Sequence, residues 1–230
     1  MNLFKYENIL LKQGYKNIAG VDEVGLGSIA GPVVAAAVVL DLEKIKQVKV
    51  PLQMKRKTKL VKINDSKQLT RTEREILLPV ILTNCIGLGI GVVDVYEIND
   101  IRNIRECGYL ARFRACNDLN DYMTCYNRQV DFILIDGNFG MPETSILNRS
   151  IIGGDSKSVS IAAASIVAKV YHDNIMIELH KEFPMYDWEH NMGYRSKKHF
   201  EGIKTYGLSK YHRMHLFQEK NSIKESDIRV

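Results

Sequence analysis

Apolar residues follow two periods along this chain, and the switches between them predict alternating helices and strands. Leu3, Phe4, Ile9, Leu10 and Leu11 form a short helical stripe over residues 3–12, stopped near Gly14. From Ile18 the period shortens: IAGVDE reads as a strand that ends on two acids, and a glycine-rich turn follows it. PVVAAAVVL then reads as a second strand, hairpin-like with the first and buried on both faces. Between Asp41 and Lys67 no period is visible, and nine Lys or Arg against three acids predict an exposed basic connection. Thr70 and Glu73 have capping-box spacing, which opens a helix over RTEREILLPVIL. CIGLGIGVVDV alternates glycine with apolar residues, as in a strand approached closely by another element.

Ile101, Ile104, Tyr109, Leu110, Phe113 and Leu119 predict a helical region with a break at Gly108. DFILIDGN is a short buried strand stopping at Asp136. SVSIAAASIVAKVYHDNIMIELHKEF is the longest helix, starting near Asp155 or Ser158 and ending before Pro184. A last helix is predicted over Lys197–Thr205, within a basic and aromatic tail that suits a nucleic-acid surface.

Composition narrows the classes. The 230 residues, 45% hydrophobic and 26% charged, fit one medium domain or one domain with an appendage. A net charge of +5 permits a polyanionic partner without requiring one. The N-terminus has no basic segment leading into an apolar stretch, and no run of about 18 apolar residues occurs. Export and membrane spanning are therefore not expected, and a cytoplasmic location is. Cys85, Cys107, Cys116 and Cys125 form no CxxC pair and read as reduced packing residues. The histidines have no HExxH arrangement, which argues against a histidine-built zinc site.

The chemistry lies in acids that recur at element ends: Asp22 and Glu23 after IAGV, Asp136 after FILI, and Asp155 in GGDSK. Singly, such an Asp is usually a turn former or a helix cap. Together, carboxylates beside buried strands need strong positive charge to stay ionised near neutral pH. Mg²⁺ or Mn²⁺ supplies it, and two such ions about 4 Å apart suit phosphodiester hydrolysis.

GVDEVGLGSIAGPVVAAAVVL, INDSKQLT, ILIDGN, GGDSKSVSIAAASIVAKVYHD and NMGYRSKKH, in this order, resemble the ribonuclease HII (type 2 ribonuclease H) family over about residues 18–215. The resemblance implies an α/β, ribonuclease H-like fold with a mixed central sheet flanked by helices. It divides the chain into a catalytic domain, 1–185, and a basic helical C-terminal extension, 186–230, that contributes to substrate binding. It implies an endonuclease that cuts the RNA strand of RNA/DNA hybrids and cuts at ribonucleotides embedded in duplex DNA, leaving 3′-hydroxyl and 5′-phosphate ends. Carried over by motif, Asp22, Glu23, Asp136 and Asp155 become the catalytic, metal-binding carboxylates, with two Mg²⁺ or Mn²⁺ ions when substrate is bound.

The same motifs assign substrate contacts. Gly25, Leu26 and Gly27 occupy the G-x-G loop that reads the 2′-hydroxyl. Asp65, Ser66 and Lys67 are the DSK motif, with Lys67 as a phosphate clamp, and Ser165 and Lys169 share one face of the long helix. Tyr194 matches the tyrosine that packs on the sugar; outside its motif it would read as an interfacial packing residue. Asp173 is read as structural, with a metal-site role as the minority reading.

Leu26 departs from the family, which usually has arginine there. A backbone contact survives that change, but the guanidinium does not, so weakened affinity or junction preference is expected. Ser28 replaces the usual proline, and MGYRS replaces KGYGT, so Met192 removes a lysine while Arg195 adds charge. These departures suggest a second reading, a non-catalytic or weakened hybrid-binding protein on the same fold. Retention of all four acids argues against it, because a pure binder gains nothing from negative charge beside phosphate. A dinucleotide site is disfavoured by the GxGxxxG spacing, and ribonuclease HIII by the short segment before Ile18. A monomer is expected.

Overall fold

A computed structural model of the chain describes residues 3–48, 50–54 and 57–217, the segments 52–54 and 57–61 by backbone alone. In chain order the first elements are helix α1 (Lys5–Lys12), strands β1 (Ile18–Val24) and β2 (Val33–Leu40), the single turn α2 (Leu42–Ile45), and strands β3 (Val50–Met54) and β4 (Lys57–Val61). Next come α3 (Arg71–Thr83), β5 (Cys85–Val93), α4 (Val95–Ile101), α5 (Ile104–Cys125), β6 (Phe132–Asp136) and β7 (Asn148–Ile151). The described chain closes with α6 (Val159–Glu182), α7 (Trp188–Asn191) and α8 (Lys197–Tyr206). Five strands form one mixed sheet in the order β5-β2-β1-β6-β7, antiparallel across β5-β2-β1 and parallel across β1-β6-β7.

Every residue of β2 is buried, which is why VVAAAVVL carries no polar position. Val34, Ala36, Val38 and Leu40 face a core closed by α1, α3 and α6, while Val33, Ala35, Ala37 and Val39 face α5. The helices lie close to the sheet. A Cβ at Gly89 of β5 would sit 2.2 Å from the Ala115 carbonyl oxygen of α5, and one at Gly91 would sit 2.0 Å from that of Ala111. The glycine alternation of β5 is the footprint of α5. After α6, a third cluster gathers Ala30, Met176, Tyr186, Trp188 and Met192. Among the described residues, no helix is long and apolar enough to cross a membrane.

Some segments differ from the sequence-based expectation. Residues 41–67 are not a featureless connection: Asp41 caps α2, which buries Leu42 and Ile45, and β3 pairs with β4 as a separate two-stranded sheet. Interleaved lysines and Pro51 hid that alternation, and a two-stranded ribbon tolerates both because its strands are edges. The helical break falls at Arg102 (φ 56°), and α5 runs through Gly108 without interruption. Asp94 and Asn103 cap the two helices on either side of that break. β7 has no counterpart in the sequence pattern, because its four residues NRSI carry one buried side chain. Cys107 and Cys116 are buried, but Cys125 is exposed at the end of α5 and packs against no core.

Candidate active site

β1 and β6 run parallel with Val21 beside Ile135, so the next residues of the two strands, Asp22 and Asp136, emerge side by side. The carboxyl ends of parallel strands are where open α/β sheets bind ligands. Asp155 joins them from a 3-10 turn, Gly154–Ser156, pinned by the Gly154 amide donating to Asp136 Oδ1 at 2.6 Å. Asp22, Asp136 and Asp155 each offer a carboxylate oxygen, all within 4.8 Å of one another. Glu23 stands outside this trio: strand alternation turns it toward α5, where its Oε2 lies 3.6 Å from Arg112 Nε.

Burial raises the pKa of Asp22 well above the ordinary carboxylate range, and the charges of Glu23 and Asp136 push it further. Burial also raises Asp155, with Asp136 adding to the effect and Lys67, whose Nζ is 3.4 Å away, opposing it. Glu23 is raised by burial against the pull of Arg112. Lys67 and Arg112 thus face four carboxylates, an excess of negative charge that an all-oxygen donor set would lose on binding a hard divalent cation. The residues fit Mg²⁺ or Mn²⁺.

The loop after β1 is held by backbone geometry. Gly25 adopts φ +93°, and a Cβ there would meet the Pro32 carbonyl oxygen at 2.5 Å. Ile29 and Ala30 both donate their amides to the Gly193 carbonyl, at 2.9 and 3.2 Å, which ties the loop to the MGYRS turn. Tyr194 is thereby placed against Gly27, its ring 3.6 Å from where a Cβ would stand. Leu26 points instead onto Gly108 of α5. Met192 is turned into the cluster around Trp188. Arg195 is half-buried, with its Nε lacking a partner.

Sequence reasoning missed Arg213, which is 1% exposed. Its guanidinium donates to the carbonyls of Ser28 at 2.9 Å, Gly31 at 3.0 and 3.1 Å, and Pro32 at 3.1 Å. Burial lowers its pKa to about 10, so it stays charged at neutral pH. Nothing in YHRMHLF distinguishes it from the other basic tail residues; its partners lie more than 180 positions earlier. Arg213→Met strands those carbonyls without a donor, and a loss of about 3 kcal/mol in unfolding free energy is expected. Urea titration checks this, and an unchanged midpoint would mean that the loop holds itself.

The DSK turn packs on α6. Asp65 accepts from the Lys67 amide at 2.8 Å, and the buried Ser66 hydroxyl lies 2.7 Å from that of Ser165. Ser165 in turn favours the ionised form of Asp22. One turn on, Lys169 sits 2.7 Å from Asp173 Oδ1 and 5.7 Å from the centre of the Tyr194 ring. Asp173 also faces Arg74 at 3.5 Å and lies outside the carboxylate trio. Arg74, a second residue the sequence did not announce, donates to the carbonyls of Ser66 at 2.9 Å and Leu69 at 2.6 Å and so links the turn to Asp173.

Comparison with known proteins places this arrangement. The family model described as Ribonuclease HII matches residues 19–220. The chain is 44% identical to Ribonuclease HII of Listeria innocua over 211 residues, 91% of this chain and 71% of that one. It is 42% identical to that of Listeria monocytogenes serovar 1/2a over 219 residues, 95% and 74% of the two chains. Among solved structures it resembles ribonuclease H2 of Pyrococcus horikoshii OT3, with a TM-score of 0.68 at 22% identity, covering 90% of this chain and 95% of that one. It also resembles Bst-RNase HIII in complex with Mn²⁺, with a TM-score of 0.69 at 22% identity, covering 90% and 68%. The structures share the fold, and by the family match and the identity to its relatives this chain belongs to the ribonuclease HII family, enzymes with ribonuclease H activity on RNA/DNA.

Proposed function

We propose that the protein is an endonuclease that hydrolyses the RNA strand of RNA/DNA hybrids and nicks duplex DNA at embedded ribonucleotides, leaving 3′-hydroxyl and 5′-phosphate ends. The convergence of the Asp22, Asp136 and Asp155 carboxylates within 4.8 Å carries this reading. These three, with Glu23 at their side, would hold Mg²⁺ or Mn²⁺, two ions when substrate is bound; Mn²⁺ in the fold neighbour from Bst supports the choice. Bound there, such ions would supply activation of water and stabilisation of the charge on the attacking and leaving oxygens.

The chain's own groups bind and orient. Asp22 and Asp136 project from paired strands, which fix ligands more tightly than loops do. The backbone of Gly25, Leu26 and Gly27 approaches the 2′-hydroxyl, the group that separates RNA from DNA. Tyr194, held against Gly27, packs on the neighbouring sugar. Lys67 and Lys169 draw in backbone phosphates, while Ser66 and Ser165 keep the DSK turn seated beside Asp22. Asp65 shapes that turn through its own cap. Residues 1–185 form the catalytic domain in this reading, and the basic C-terminal extension, 186–230, adds to the substrate surface through its described part, 186–217; residues 218–230 lie outside the described residues. The protein works as a monomer in the cytoplasm.

The test is incubation with an RNA/DNA hybrid and with a DNA duplex holding one ribonucleotide, with and without Mg²⁺, followed by end mapping. Metal-dependent cuts with 3′-hydroxyl ends are expected on both. No cut at the single ribonucleotide would restrict the activity to hybrids, and no cut on either would refute it.

A further inference from the structure

Beside the carboxylates lies a cavity of about 620 Å³ between α5, the glycine loop and the segment after β6. Glu23 and Asp136 form its edge toward the sheet, and Leu26, Tyr109 and Phe139 give its walls an apolar surface. Phe139 is 67% exposed at its rim. Arg112 also lines this cavity. It is buried, its Nε lies 3.6 Å from Glu23 Oε2, and that Nε has no hydrogen-bond partner. Among the described residues, the guanidinium donates no hydrogen bond to the protein. A buried guanidinium with its donors open is costly unless an anion completes it.

Position 26 gives this a second support. Leu26, between Gly25 and Gly27, leaves the glycine loop without a cation, and its side chain packs on α5 at Gly108. A Cβ at Gly108 would come within 2.9 Å of Leu26 Cδ2, so the missing methyl admits the leucine. Arg112 stands one helical turn further along the same helix face. Loop and helix are matched at these three positions.

We propose that Arg112 is a substrate-binding residue that anchors a backbone phosphate of the cleaved strand, supplying from α5 the cation that the glycine loop lacks at Leu26. Its Nε faces Glu23, which aims the planar fork, and the remaining donors take a phosphate oxygen. Leu26 and Phe139 then flank the adjoining sugar or base. This rests on the nuclease reading above.

The test uses the Asp22→Asn protein, in which the strand is not cut, and measures binding of a labelled RNA/DNA hybrid by fluorescence anisotropy across a salt series. Adding Arg112→Met is expected to weaken binding about tenfold and to reduce the salt slope by about one. Adding Arg112→Lys should keep the slope, because the charge stays. In the cleaving enzyme, Arg112→Met should raise KM more than it lowers kcat. A folded Arg112→Met protein with unchanged affinity and slope would overturn the proposal. Should the methionine variant not fold, Arg112→Gln decides by the same two numbers. A parent protein that binds no hybrid would sink the nuclease reading itself, which keeps the two failures apart.

Discussion

Asp22→Asn is expected to abolish cleavage and, in metal-free buffer, to make the protein harder to melt. The two effects have one cause. Asp22 sits 5% exposed near the end of β1, and burial, Glu23 and Asp136 all oppose its ionisation. Its pKa is raised in the folded state, so the folded protein holds that proton more tightly than the unfolded chain does. Stability is then greatest at acid pH and falls as pH rises from the ordinary carboxylate value to the raised one. Over that window the metal-free protein takes on a growing penalty for ionising Asp22, and asparagine removes it. Each ~1 kcal/mol recovered reads as about 2–4 °C in Tm for a chain of this size. Added Mg²⁺ should reverse the order, stabilising the parent protein and leaving the variant unmoved. Loss of activity should reach at least about 10²–10³-fold, the scale of removing one fixed charge-stabilising group. Melting curves at pH 5 and pH 8, with EDTA and with Mg²⁺, check the sign. A variant that melts lower than its parent in EDTA at pH 8 would show that Asp22 is not destabilised by its neighbours.

Gly20→Ala should be among the most damaging single-methyl changes at the described residues. Gly20 lies mid-strand on β1 between Val38 and Leu134, where no unusual backbone angle calls for glycine. What it meets is α6: a Cβ would stand 2.0 Å from the Ser160 carbonyl carbon and 2.3 Å from the Ile161 amide nitrogen. Those are backbone atoms in the first turn of a helix, and no rotamer change relieves them. β1 carries Asp22, and Asp155 lies in the turn that leads into α6, so parting strand from helix also parts the carboxylates. The expected loss is about 3 kcal/mol or more, a large share of the margin of a typical domain. Gly14→Ala is the contrast: φ there is +98° but nothing lies within 4 Å, so only backbone strain of about 1 kcal/mol is expected. Urea midpoints for the two variants separate close approach from strain, and equal midpoints would contradict the packing argument.

What could be read from the sequence was what local residues decide. The capping box at Thr70 and Glu73, the glycines of β5, the buried run of β2 and the ends of α6 each follow from neighbours in the chain. Family motifs supplied the acids; strand register sets Asp22 beside Asp136, and the turn pinned by the Gly154 amide adds Asp155. Long-range braces left no such trace. Arg213 reaches back to Gly31 and Ser28, and Arg112 of α5 meets Glu23 of β1, with no sequence period linking the partners. The hairpin of β3 and β4 was hidden because its lysines broke the apolar alternation. Gly108 misled for a physical reason: a glycine inside a helix ordinarily weakens it, but here it makes room for Leu26.

The central claim is that Asp22, Asp136 and Asp155 hold a divalent cation, and anomalous scattering from crystals grown with Mn²⁺ tests it most directly. A peak in contact with oxygens of all three carboxylates is the result expected. A map with no peak there, or with one only at the exposed group of Asp187, Glu189 and His190, would contradict it.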